Sequence, residues 1–368
     1  MNSEIRSRVF DFSSEFRQDY WRKIYSTRSF PEEYWYSFSS KGLIGFLVSK
    51  DFGGLGLDLS NFCSAVQLTA RYYAGAASYL FLSSCLSALI IERLGSESMK
   101  KEILPRLISG KSSLCIALTE ENSGLDASSI ETLATRKEES YIINGRKMFV
   151  SNLDRCEYML LFARSEEGIT AFLLETKNKA VEKKEIDKIG LEFIKLFSVD
   201  IKSIEVSGES ILGKLGAGLK QMEEIFLMDR LATSSLLIGT GLLALDEASE
   251  YAKDRVAFGR KIGSNQGIQF PLADSACRLI ASEALLMKAC LEFDKDKGLV
   301  NTALLEAQNA ASVATDTALQ TFGGHGYLAE KDVGRHWKDV RAYRLHPLSE
   351  EIILASIGWR SLGLPKTY

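Results

Sequence analysis

The chain has 368 residues, 46% of them hydrophobic and 25% charged, with a formal net charge of −3. That length exceeds what one core supports, so two or three lobes are expected, and the absence of a basic field argues against a general nucleic-acid binder. The first residues, MNSEIRSRVFDFSSEF, lack the apolar centre of a signal peptide, and SYLFLSSCLSALII (78–91) is too short to cross a bilayer, which makes the cytoplasm the expected compartment.

Residues 1–112 read as helical. YWYSFSSKGLIGFLV, the run from LSNFCSAV to ALIIERL, and SMKKEILPRLISG carry periodic apolar residues, interrupted by glycine at FGGLG and LG. From 113 to 209 the texture changes to short runs rich in β-branched and aromatic residues: SLCIALT, SYIINGRKMFVSN, YMLLFAR, ITAFLLET and VDIKSIEVS. Turn material such as ENSG, EEG and NG separates them, which predicts a β-domain. From 210 to 368 helices are predicted at 217–256, 268–293, 298–321 and 348–361, with short links of the kind found in bundles. Six scattered cysteines read as buried free thiols, and three histidines confined to 325–346 offer no metal site.

Within the first of those late helices, FLMDRLAT (226–233) places Asp229 on an apolar stripe, with Ile225 a turn before it and Ala232 and Thr233 a turn after. A carboxylate there is paired, protonated or catalytic, because an unpaired buried charge is costly. Arg230 is its neighbour in sequence but points about 100° away around the helix.

Three other stretches carry chemistry. QTFGGHGY (320–327) has paired glycines that either let backbone N–H groups approach a diphosphate or simply stop a helix in a Schellman-type cap. DRVAFGRKIGSNQGIQFPLADSA (254–276) spaces Arg255, Phe258 and Gln266 over a helix end, a turn and a helix start. Read singly, these are a surface charge, a core ring and a loop amide. In CIALTEENSGLD and GRKMFVSN, Thr119 and Ser151 close two β-runs beside Phe149, which alone would be ordinary strand ends.

In their order and spacing, TEENSGLD, NGRKMFVSN, RVAFGRKIGSNQ, QTFGGHGY and Lys338-Asp339 resemble the acyl-CoA dehydrogenase family of flavoproteins over essentially the whole chain. The resemblance implies an α+β fold: a helical N-terminal domain (1–112), a central β-barrel (113–209) and a C-terminal four-helix bundle (210–368). It further implies FAD as cofactor and assembly into homodimers or homotetramers. Thr119 and Ser151 would hydrogen-bond the isoalloxazine ring, and Phe149, where most members have tryptophan, would cover one face. Arg255, Phe258, Gln266, Gln320, Gly323 and Gly324 would hold the diphosphate and adenosine, partly those of a neighbouring subunit's FAD, and Ser349 matches a threonine that contacts FAD. Leu125 replaces a serine that touches the flavin diphosphate or the substrate.

The resemblance also implies a reaction: α,β-dehydrogenation of an acyl thioester, in which a base takes the α-proton and the β-hydrogen leaves as hydride to flavin N5. Most members supply the base as the glutamate of Y-E-G-T. Here KDVRAYRLHPLSEE puts Pro347 in that place, and Glu350 and Glu351 fall three and four positions further on. A minority, typified by isovaleryl-CoA dehydrogenase, supplies the base 26 residues before the arginine of R-x-x-F-G. That position is Asp229, and Arg230 matches the arginine beside it, in the substrate-binding region. Proline also removes a backbone N–H that grips the thioester carbonyl in the family. The substrate carrier is left open between CoA and an acyl carrier protein bearing an acyl, hydroxyacyl or aminoacyl group. An electron-transferring flavoprotein or O₂ would accept the electrons. A flavin monooxygenase on the same fold and a non-catalytic subunit are the alternatives of other classes.

Overall fold

The computed structural model describes residues 7, 9, 10, 12, 14–346 and 348–366, so the expectation placed on Pro347 lies outside the described residues. Helices Gln18–Thr27, Glu32–Ser40, Leu59–Ala70, Ala74–Leu80, Leu86–Leu94 and Glu97–Ile108 precede the sheet. A π-helical segment, Phe81–Cys85, joins the fourth to the fifth, giving an unbroken helical run from Ala74 to Leu94. π-segments interrupt helices mostly where function requires it. Asp58 and Ser96 start two of these helices by accepting the N–H groups of Asn61 and Met99.

The predicted helical reading fails at GLIGFLV. Residues 42–48 form an irregular buried segment in which Leu43, Ile44, Phe46 and Val48 are all fully buried. Leu55 and Leu57 donate their N–H groups back to Gly45 O (2.7 Å) and Phe46 O (2.8 Å), so the chain pairs with itself across FGGLG instead of coiling. Gly45 permits this approach, since a Cβ there would lie 2.5 Å from Ile108 Cγ2.

The central strands are β1 (Leu114–Ala117), β2 (Leu133–Lys137), β3 (Ser140–Ser151), β4 (Tyr158–Ser165), β5 (Gly168–Glu175), β6 (Val181–Ile186) and β7 (Leu196–Ser207). They form one mixed seven-stranded sheet in the order β1-β4-β2-β3-β7-β6, with β5 also paired to β4. β1 and β2 run parallel to β4, and the other pairings are antiparallel. Its own core includes Ile143, Val150, Leu161, Phe172 and Val199.

The remaining helices are Gly218–Gln221, Glu223–Asp254, Gln266–Leu291, Gly298–Phe322, Val333–Ala342 and Glu350–Arg360. The 32-residue Glu223–Asp254 helix is the axis of the protein, buried without interruption from Leu231 to Gly241. Two glycines let neighbours close on it from different sides. A Cβ on Gly239 would sit 2.3 Å from Gln67 O of the Leu59–Ala70 helix, and one on Gly241 would sit 2.8 Å from Leu279 Cδ2 and 3.3 Å from Ala311 Cα. The early and late helices accordingly share one hydrophobic core, with Phe62, Val66 and Leu89 in the same cluster as Leu231, Leu236 and Leu304.

Ala74–Leu94 and Glu223–Asp254 are, by length and composition, apolar enough to cross a membrane, contrary to the reading of 78–91 as too short. Both are packed inside the protein, 94% and 83% buried over their most apolar windows, so the core explains their composition. The cysteines are free, and five are buried, but Cys277 is exposed against expectation because it lies on the outer face of the Gln266–Leu291 helix.

Candidate active site

The site begins at the ends of β1 and β3. Thr119 lies two residues beyond β1, and its carbonyl accepts the N–H of Met148 at 2.8 Å, which docks this segment on β3. Between Lys147 and Val150 the β3–β7 register shifts by a bulge. Phe149 sits in that bulge at φ 57° and is 55% exposed. A bulky residue in left-handed backbone is an outlier that its surroundings must enforce, and here it turns an aromatic face out of the sheet. Ser151 ends β3, and Asn152 follows at φ 60°, donating its side-chain N–H to Ser83 Oγ (2.9 Å) inside the π-segment. Leu125 stands 63% exposed in the loop after Gly124, where Ser123 Oγ donates to Asp126 O at 2.7 Å.

Two residues of these same stretches prove to be the brace beneath the site. Lys147 is fully buried, and its Nζ donates to Glu120 Oε1 (2.7 Å) and to Leu118 O (3.1 Å). Glu120 also accepts the N–H groups of Glu131 (2.5 Å) and Thr132 (3.0 Å). Burial raises the Glu120 carboxyl, but the hydrogen bonds from Lys147, Thr132 and Glu131 together outweigh it and hold it below its usual value. Burial lowers Lys147 to about 8 despite its partner. Sequence reasoning passed over both, although each occupies a fixed place beside Thr119 or Phe149.

A second group of residues gathers at the end of the Glu223–Asp254 helix. Arg255, Gly323 and Gly324 line a cleft of about 590 Å³ together with Tyr251, Phe322 and His325. Tyr251 stacks on Phe322 with ring centroids 4.2 Å apart, forming one wall. Gly323 ends its helix at φ 57°, ψ −138°, which is not the left-handed geometry of a Schellman cap. Cβ atoms on Gly323 or Gly324 would meet nothing within 4 Å, so both glycines present bare backbone to the cleft. That open cradle fits a diphosphate. Gln266 and Gln320 are exposed outside the cleft lining, and Phe258, at φ 51° on the two-residue hairpin Val256–Ala257/Arg260–Lys261, is wholly exposed. An aromatic ring held out in strained backbone suits a surface completed by another molecule.

The third group surrounds Asp229. The carboxyl is buried at 7% exposure, and its Oδ1 has no hydrogen-bond partner. Burial raises its pKa to about 7, and the charge of Arg230 offsets only part of the rise. Arg230 turns the other way: its Nη1 donates to Asn301 Oδ1 (2.9 Å), whose Nδ2 donates to Ser356 Oγ (2.9 Å) on the last helix. Tyr343 lies close enough for Asp229 to add to its raised pKa, after burial as the main cause. Gln308 Nε2 donates to Tyr343 O (2.8 Å) and Leu348 O (3.3 Å), clamping the chain on both sides of position 347. The acids after that position are placed elsewhere. Glu350 pairs with Arg344, and Glu351 is exposed. Ser349 is the N-cap residue of Glu350–Arg360 but makes no side-chain bond to that helix. The other buried carboxylate nearby, Asp339, accepts the Leu191 N–H at 2.5 Å and faces Arg335, so it fastens the sheet to the helices.

Comparison with known proteins identifies the family. The N-terminal, middle and C-terminal domains of acyl-CoA dehydrogenase match residues 2–111, 115–204 and 216–362. The chain is 32% identical over 333 residues to the short-chain-specific acyl-CoA dehydrogenase of Megasphaera elsdenii, covering 87% of each chain. It is 28% identical over 361 residues to the subunit CarC of the caffeyl-CoA reductase–Etf complex of Acetobacterium woodii, covering 95% of each. The solved structure of butyryl-CoA dehydrogenase from Megasphaera elsdenii superposes with a TM-score of 0.93 at 28% identity, covering 98% of this chain and 99% of that one. The chain therefore belongs to the acyl-CoA dehydrogenase family, an oxidoreductase that acts on acyl thioesters with FAD as its cofactor.

Proposed function

We propose that this enzyme removes the α-proton of an acyl-CoA thioester with the Asp229 carboxylate as the β-hydrogen departs. The observation that carries the reading is the state of Asp229: buried, raised to about 7, and with Oδ1 free of any partner. A carboxyl so placed is half ionised near neutrality and has an unused lone pair for a substrate proton. FAD supplies the acceptor for the β-hydrogen, taken as hydride. Arg255, Gly323 and Gly324 would hold its diphosphate. Phe149, Thr119 and Ser151 would meet its ring, and Phe258, Gln266 and Gln320 would reach the cofactor of a neighbouring copy. The Glu120–Lys147 brace fixes the segments that carry Thr119 and Phe149, and the Gln308 clamp fixes the chain at Tyr343 and Leu348. The relative described as part of an Etf complex supports an electron-transferring flavoprotein as the partner that reoxidises the enzyme.

Anaerobic titration with acyl-CoA thioesters and acyl-carrier-protein thioesters, following loss of flavin absorbance, tests the reading. Bleaching of the wild type and none in Asp229→Asn, with FAD retained in both, supports it. Full-rate bleaching in the variant removes Asp229 from the chemistry.

A further inference from the structure

Asp229 is not the only unpartnered polar group on its face of the helix. Thr233 follows one turn later, is fully buried, and its Oγ1 has no hydrogen-bond partner. Buried hydroxyls in helices ordinarily donate to the carbonyl four residues back. Ser234 does so to Arg230 O (2.8 Å), Ser235 to Leu231 O (2.8 Å) and Thr240 to Leu236 O (2.9 Å), all within the same helix. Thr233 alone of these leaves its hydroxyl unspent. Valine would fill the same volume without that cost, so the hydroxyl is retained against packing.

Another buried hydroxyl lies near the base, on a different segment of the chain. Tyr343 is buried at 2% exposure, near Ser78, which is 1% exposed on the Ala74–Leu80 helix. Asp229 lies within electrostatic reach of Tyr343, and Thr233 stands one turn further along the helix that carries Asp229. A saturated hydrocarbon chain laid against these groups would leave Thr233 unpaired. A chain carrying its own donor and acceptor would satisfy it.

We propose that Thr233 selects acyl thioesters that carry a hydroxyl or similar hydrogen-bonding group beyond the β-carbon. One helical turn advances about 6 Å, which brings a hydroxyl on the γ- or δ-carbon of a substrate whose α-carbon meets Asp229 within hydrogen-bond reach of Thr233. The inference rests on the dehydrogenase reading above. A pocket built to bond a substrate hydroxyl rejects the analogue lacking it far more strongly than an apolar pocket rejects an added hydroxyl.

The test compares two isosteric probes, 4-hydroxybutyryl and pentanoyl, each as the CoA and as the pantetheine thioester, in anaerobic flavin reduction by the holoenzyme. The wild type is expected to favour the hydroxylated chain by about tenfold or more in kcat/KM. Thr233→Val should bring that ratio to about one by losing the hydroxylated substrate while keeping the alkyl one, and Thr233→Ser should preserve it. A wild-type preference for pentanoyl, or an unchanged ratio in Thr233→Val, overturns the proposal. Asp229→Asn separates the two readings: if it is reduced at full rate the base assignment fails, yet the ratio still reports on Thr233. If no thioester bleaches the wild type, both readings fall.

Discussion

Lys147 Nζ lies 2.7 Å from Glu120 Oε1, and this buried pair ties the segment that ends in Thr119 to the strand that presents Phe149 and Ser151. Removing one partner strands the other in a dry site, at a cost of about 3–5 kcal/mol. Lys147→Met should therefore lower the melting temperature and release FAD on gel filtration, whereas Asp229→Asn retains it. Adding Glu120→Gln should recover part of the stability, because the second change removes the orphaned charge. A Lys147→Met protein that stays yellow and fully stable would show that the brace is dispensable.

Catalysis should follow the ionisation of Asp229. The carboxyl must be deprotonated to accept a proton, so kcat/KM should rise about tenfold per pH unit below its raised value of about 7 and level off above it. Asp229→Asn should lose about 10²–10⁴-fold in the rate of flavin reduction, the range general-base catalysis supplies. The check is a stopped-flow pH profile of reduction. A flat profile between pH 5 and 8, a window that brackets about 7, would point to another base.

The same group makes a stability prediction of opposite pH sense. Its folded pKa, about 7, lies above the ordinary 3.8, so the folded state binds the proton more tightly than the unfolded chain. Asp229 costs nothing below about pH 4 and its full penalty appears above pH 7, where a shift of that size corresponds to about 4 kcal/mol. Asp229→Asn should thus stabilise the apoprotein by about 4 kcal/mol at pH 8 and by only about 1 kcal/mol at pH 4.5. Urea denaturation at the two pH values measures this directly.

How far the sequence declared this structure depends on what each segment buries. The helices predicted at 268–293 and 298–321 appear as Gln266–Leu291 and Gly298–Phe322, because long apolar stripes and flanking glycine leave little choice. β2 and β6 escaped notice. LATRK buries only Ala134, and VEKKEI, at the edge of the sheet, buries nothing fully, so neither shows the alternation that marks a strand. GLIGFLV misled in the other direction: its apolar residues are buried, but glycine and self-pairing hold them in an irregular loop. At the site, Asp229 was legible as a carboxylate on an apolar stripe. Thr233 was not, because its peculiarity is a missing bond to the carbonyl four residues back, and no sequence displays that.

Phe149 trades stability for function. At φ 57° in a bulge it occupies backbone that costs a bulky residue about 1–3 kcal/mol, and its ring is mostly out in solvent. Phe149→Gly should relieve that strain, leaving the apoprotein as stable as wild type or more so, while FAD binds more weakly for want of the ring. Thermal melts with and without added FAD would show it. A loss of apoprotein stability would mean that the ring is a packing group of the sheet.

Phe258 bears on assembly. Its ring is 103% exposed at φ 51°, at the tip of a hairpin whose Val256 is 54% exposed, and Phe270 nearby in sequence is 58% exposed. A large ring held open to water in left-handed backbone is unfavourable twice over, and a second copy of the chain that covers it would offset both costs. Arg255, three residues before it, lines the cleft with Gly323 and Gly324, so a hairpin docked on a neighbour would bring the two cofactor regions together. Phe258→Ser should then shift the protein toward monomer in sedimentation and lower its FAD content in parallel. Loss of FAD without loss of association would place the ring on the cofactor of its own chain. Loss of association with FAD retained would separate assembly from cofactor binding and show that each subunit holds its flavin alone.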